Sequence, residues 1–171
     1  MFCRSLVQLA SLFIVASACH FVCAAAPASP TSSVEVANQF FVAMQAKDVD
    51  GLVKLTAPTK GLPDGAVKQT YEQMLSRATP VAKTETVAHL QTDIAAVVVF
   101  REHKRTALAR IDLDPMYMVK RDGKWLVLHK LTKYGTKNQD LTEAELASFE
   151  KLGAWLKEQK PKLVEILKDS P

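Results

Sequence analysis

Apolar residues recur along this chain with two different periods, and the change of period separates a helical half from a strand-forming half. Val34, Ala37, Phe40, Phe41 and Met44 follow the i, i+3, i+4, i+7 spacing of an amphipathic helix. Ser32-x-x-Glu35 at its head is a capping box, in which each side chain satisfies a backbone N–H of the other residue. Asp48 or Asp50 is placed to cap a short second helix carrying Leu52, Val53 and Leu55, which the Pro58 to Pro63 loop ends. A third helix is expected from Asp64, with Val67, Tyr71, Met74, Leu75 and Ala78 on one face and Pro80 closing it.

Beyond Pro80 the pattern becomes strand-like. Val81 to Leu90 is rich in Thr and Val, and Ile94 to Phe100 is a compact apolar run; Thr106 to Leu113 alternates less cleanly. Arg101 to Arg105, with His103 inside it, reads as a solvated hairpin end. Asp122-Gly123 supplies the positive φ angles of a two-residue hairpin between Met116–Lys120 and Trp125–Tyr134. With Arg121 opposite Lys124, Met118 faces Val127, Val119 faces Leu126, Tyr117 faces Leu128 and Met116 faces His129. Both faces of this ribbon are largely apolar, so each needs a cover.

The last segment is suited to be one of the covers. Thr142-x-x-Glu145 is a second capping box, flanked by Leu141 and Leu146 as a hydrophobic staple. A helix from about Thr142 to Lys160 follows with Leu146, Phe149, Leu152, Trp155 and Leu156 in a stripe, and Pro161 is expected to open a final short helix with Leu163, Val164, Ile166 and Leu167. Packing onto the sheet in cis is the favoured arrangement. Presentation of Trp155 to a partner protein and a homodimer through the sheet face are the alternatives.

The amino terminus reads as an address. Arg4 precedes an apolar run from Leu6 to Val22, and Val22-Cys23-Ala24 suits cleavage after Ala24, so residues 1–24 are expected to be a signal peptide. Val15 to Cys19 also resembles a lipoprotein box, which makes lipid anchoring at Cys19 the alternative. Residues 25–33, rich in Ala, Pro, Ser and Thr, form a flexible tether. All three cysteines lie within the first 23 residues, so the cleaved chain has no disulfide, thiol nucleophile or Cys-based metal site. A periplasmic or secreted protein without a transmembrane segment after cleavage is expected.

Composition narrows the class further. A chain of 171 residues with 48% hydrophobic and 23% charged residues fits one domain with a real core. The net charge of +4 is too small, and too free of reading motifs, for a nucleic-acid binder. It is uneven, however: residues 101–137 hold ten Lys or Arg against four acids. A basic sheet is suited to an anionic ligand or an acidic partner, although Lys and Arg also guard sheet edges.

Three helices followed by antiparallel strands, with Gly123-Lys124-Trp125-Leu126-Val127 near the end, resemble the nuclear transport factor 2-like superfamily, the SnoaL-like or cystatin-like cone, over Val34 to Tyr134. The chain is similar in particular to small secreted bacterial members of uncharacterised function, in which paired aromatics such as Phe40-Phe41 precede a stretch such as Lys47-Asp48-Val49-Asp50. The resemblance implies an α+β fold: three N-terminal helices packed on a curved antiparallel sheet that forms a cone, plus a C-terminal helical extension. The cone domain then spans 34–137 and the extension 138–171. The superfamily includes isomerases, dehydratases, ligand binders and interaction modules, so the fold alone does not choose a function.

Within such a cone the candidate ligand-binding residues are Phe40, Phe41, Tyr71, Tyr117 and His129. No metal or cofactor is expected, because His89, His103 and His129 are isolated and no ligand spacing occurs. The leading expectation is a non-catalytic binding or interaction module for a small apolar or anionic ligand, or for an envelope protein docked on the sheet. The alternative is an isomerase or dehydratase with Asp112, Asp114 or His129 as base and Tyr71 or Tyr117 as donor. The first helix has no Tyr, so the phenolic donor of ketosteroid isomerase-like members is missing there, and no catalytic residue carries over.

Overall fold

The computed structural model describes residues 32–79, 81–105, 110–129 and 141–168. The expected leader, Cys19, most of the tether, residues 106–109 and residues 130–140 lie outside them. Helices α1 (Ser33–Ala46), α2 (Val49–Lys54) and α3 (Ala66–Arg77) come first. Strands β1 (Val81–Gln91), β2 (Ala95–Lys104), β3 (Arg110–Arg121) and β4 (Lys124–Val127) follow, and α4 (Glu143–Lys168) ends the chain's described part.

The first helix starts as its sequence dictates. Glu35 N–H donates to Ser32 Oγ at 3.2 Å, and Ser32 N–H donates back to the Glu35 carboxylate at 3.1 Å. Lys47 ends the helix in the left-handed region (φ 56°), and Asp48 caps α2 by accepting the Gly51 N–H at 2.9 Å. The third helix begins two residues later than expected. Its N-cap is Gly65 at φ 81°, not Asp64, and no side chain bonds there. A backbone reversal that glycine adopts without strain starts the helix in place of a carboxylate cap.

The four strands form one antiparallel sheet in the order β1-β2-β3-β4. Asp122 and Gly123 both have positive φ, 51° and 75°, and the hairpin register pairs Arg121 with Lys124, Val119 with Leu126 and Met118 with Val127, as the sequence implied. Strand β4 stops at Val127, although Leu128 N–H still donates to the Tyr117 carbonyl at 2.9 Å. Its outer edge is closed by the chain leaving α2. Val127 N–H donates to the Leu55 carbonyl and Ala57 N–H donates to the Val127 carbonyl, both at 2.8 Å.

Strand β2 runs four residues beyond Phe100, which corrects the reading of 101–105 as a solvated hairpin end. Arg101 to Lys104 are strand residues, and Glu102 is buried. Cross-strand pairing holds them there: Arg101 grips Glu85 on β1, and Lys104 binds Asp112 on β3 at 2.6 Å.

Both sheet faces are covered. Ala96, Val98, Phe100, Met118, Trp125 and Val127 pack beneath α1–α3, whereas Ala95, Val97, Val99 and Val119 pack against Phe149, Leu152 and Leu163 of α4. The C-terminal helix therefore sits on the sheet in cis. Its start is the expected capping box, with Glu145 N–H donating to Thr142 Oγ1 at 3.2 Å and Thr142 N–H to the Glu145 carboxylate at 2.7 Å. Pro161 does not open a separate helix: it lies inside one helix of 26 residues, on its exposed side. Burial of the stripe on both sides of it outweighs the lost N–H and the ring's clash with the preceding turn.

Candidate functional site

A cavity of about 590 Å³ opens between α1, α3 and the helical side of the sheet. Its apolar walls follow from the two helix stripes: Phe40, Phe41 and Met44 descend from α1, and Tyr71 and Met74 from α3. Met116 on β3 and Val127 on β4 supply the sheet side. Aromatic edges fix the wall. Phe40 meets Tyr71 edge-on at 5.9 Å between centroids, Tyr71 meets His129 at 5.0 Å, and Phe41 meets Phe100 at 4.3 Å.

The polar residues enter along one edge. Side chains alternate along a strand, so Glu102 and Lys104 on β2 share the cavity face with Asp112 and Asp114 on β3, and all except Asp112 line the cavity. The Lys104 ammonium binds Asp112 at 2.6 Å and lies 3.6 Å from the buried Glu102 carboxylate. The Asp112 hydrogen bond, working against desolvation, holds the Lys104 pKa above the ordinary lysine value. Asp114, half-buried, has no hydrogen bond or ion pair among the described residues.

Tyr71 is buried to 3% exposure and shares a 2.7 Å hydrogen bond with Thr56 Oγ1. The direction of that bond follows from counting protons. Thr56 has one hydroxyl hydrogen and donates it to the Leu52 carbonyl at 2.7 Å, so Tyr71 donates to Thr56. Burial raises the Tyr71 pKa, with the Thr56 contact opposing, and the phenol stays neutral. Its proton is committed within the protein.

Four of the five residues singled out from the sequence, Phe40, Phe41, Tyr71 and His129, meet around this space. His129 is buried to 2% exposure. Tyr117 borders the cavity, but its ring lies 6.0 Å from that of Phe149 in the cluster beneath α4. His89 and His103 do not line the cavity. Among the described residues no three His, Cys, Asp or Glu side chains gather as a metal site. Glu102 and Lys104 were not singled out as site residues, and the signal for them was the alternation of β2 carried past Phe100.

Much of the strand-rich region's positive charge is spent in pairs. Arg101 binds Glu85, Lys104 binds Asp112, Arg121 binds Glu145, and the Lys120 ammonium sits 5.6 Å above the Trp125 ring. Lys83 and Arg101 together hold the half-buried Glu85 carboxyl down to about 2. No helix of the described residues is long and apolar enough to cross a membrane.

No protein-family model and no curated protein matches the chain. Solved structures of similar shape include a candidate NTF2-like transpeptidase from Campylobacter jejuni, at 16% identity and a TM-score of 0.48, covering 58% of this chain and 100% of that one. A candidate calcium/calmodulin-dependent protein kinase type II association domain from Thiobacillus denitrificans is similar at 16% identity and a TM-score of 0.47, covering 61% and 95%. A second such association domain, from Xanthomonas campestris, has 23% identity and a TM-score of 0.35, covering 61% and 87%. The chain is an α+β protein, with helices before a four-stranded antiparallel sheet and a helix after it.

Proposed function

We propose that the protein is an exported binding module that holds a small, largely apolar ligand in this cavity. The observation that carries the reading is the space itself: about 590 Å³ walled by Phe40, Phe41, Met44, Tyr71 and Met74, within the usual range for small-molecule sites. Both sheet faces already carry helices, so a protein docked on a sheet face has to displace one. The acid–base alternative is weaker at its donors. The Tyr71 proton goes to Thr56, and the Tyr117 ring lies against Phe149. Export rests on Arg4 and the apolar run after it, with cleavage after Ala24.

Native mass spectrometry of the protein recovered after export by its own leader tests both parts. A chain starting at Ala25 with a discrete added mass, lost on denaturation, is expected. A bare mass, together with no uptake of apolar probes, moves the reading to protein interaction. A first residue upstream of Ala25, or a lipid on Cys19, replaces the cleavage proposal with an anchor.

A further inference from the structure

We infer that the cavity accepts uncharged apolar guests of differing shape, chains as well as compact ring systems, because methionines form the adaptable part of its wall; the inference rests on the ligand-binding reading above and names its ligand class. The chain has five methionines, and three of them, Met44, Met74 and Met116, line this one space. They reach it from α1, α3 and β3, so a guest meets methionine on the helical side and on the sheet side. All three are half-buried, with part of their surface left for a guest to cover.

The rest of the apolar wall behaves differently. Phe40, Phe41 and Tyr71 are buried and held by edge-on ring contacts, and Val127 is buried and stiff at its first side-chain torsion. Methionine is unbranched and turns about several bonds, so it repacks against whatever shape is offered, and flexible methionine-rich surfaces are a recurring basis of tolerant recognition. A site that reads one ligand needs polar groups aimed at it. Here the interior hydroxyl hydrogens are committed within the protein: Tyr71 gives its own to Thr56, and Thr70 donates to the Ala66 carbonyl at 2.8 Å. The Lys104 ammonium is bound to Asp112. Discrimination then rests mainly on the apolar area that a guest can bury.

Three alcohols with ten carbons and one hydroxyl each, but with different shapes, test this: decanol is a chain, phenylbutanol a ring on a chain, and adamantanol a cage. Titrated by calorimetry into the purified protein, they are expected to bind within about tenfold of one another. Combining Met44→Leu, Met74→Leu and Met116→Leu keeps the wall apolar and close to its volume but makes it branched and less adaptable, and the spread is expected to widen beyond about tenfold. Methionine methyl NMR on the unaltered chain gives a readout that no variant's folding can obscure. The signals of the three cavity methionines should move to different positions with each guest, while that of Met118, fully buried and outside the cavity lining, moves least. A spread beyond about tenfold in the unaltered chain, a spread that the folded leucine variant does not widen, or cavity methyl signals that ignore a bound guest overturns the inference and leaves the apolar cavity standing. Binding of none of the three alcohols overturns both.

Discussion

Arg121 holds both carboxylate oxygens of Glu145, Nε to Oε1 at 2.9 Å and Nη2 to Oε2 at 3.2 Å, and so ties the end of the β3–β4 hairpin to the first turn of α4. The same carboxylate accepts the Thr142 N–H. Burial pushes the Glu145 carboxyl up, but the Arg121 and Thr142 hydrogen bonds outweigh it and leave the pKa below the ordinary value. A carboxyl with a depressed folded pKa adds stability that is complete above the unfolded pKa and lost as pH falls through the folded one. Glu145→Gln should therefore flatten the loss of stability on acidification below the ordinary glutamate range. Glu145→Ala should cost about 1–3 kcal/mol at neutral pH, because it removes a cap together with the two hydrogen bonds from Arg121. Urea denaturation at several pH values measures both.

The Tyr71–Thr56–Leu52 relay predicts an asymmetry between two variants. Tyr71→Phe deletes a donor and leaves Thr56 bound to the Leu52 carbonyl, so a loss of about 0.5–1.5 kcal/mol is expected. Thr56→Val strands the buried Tyr71 hydroxyl and takes a donor from Leu52, and should cost about 1–3 kcal/mol. Equal losses in chemical denaturation would mean that Tyr71 does not donate to Thr56.

The α4 layer is expected to behave as core. Leu152 is fully buried against the sheet, and Leu152→Ala should destabilise by about 2–5 kcal/mol. Removing residues 138–171 exposes Val97, Val99 and Val119 together and should abolish cooperative unfolding. A truncated chain that keeps a sharp thermal transition and a dispersed NMR spectrum would show instead that the helix is an accessory.

Pro161 is exposed within α4, where it offers no N–H to the turn before it. Pro161→Ala restores that bond and removes the ring's clash with the carbonyl four residues earlier. A stabilisation of about 1–3 kcal/mol is expected in thermal or urea unfolding. Destabilisation would show that a bend at this proline is needed to seat Leu163.

Local chemistry made the fold's outline legible. Capping boxes at Ser32 and Thr142, the positive-φ pair Asp122-Gly123 and the valine run at 97–99 each specify one geometry from few residues. The misses came where tertiary contacts decided. Gly65 starts α3 through a turn rather than a side-chain cap, and Pro161 stays helical because Leu163 is held in the core. Charged residues at 101–104 remain in the strand because Glu85 and Asp112 lie opposite them. The site was legible in the same measure: the helix stripes named its aromatic wall, and the hairpin register set Tyr117 on the face away from Asp112, Asp114 and Met116. The polar edge depends on how β2 aligns with β3, and the Asp-Gly register does not reach that pairing.

Between Ala95 and Phe100 every residue is buried, and consecutive side chains belong to different halves of the molecule. This strand is a partition one residue thick. Phe100 supports the cavity wall through Phe41, while Val99, next along the backbone, supports α4. A guest that displaces the Phe41–Phe100 pair thus moves a peptide unit whose far side carries the terminal helix, and an occupied cavity should register as altered amide exchange around Phe149 and Leu152, residues the guest never touches.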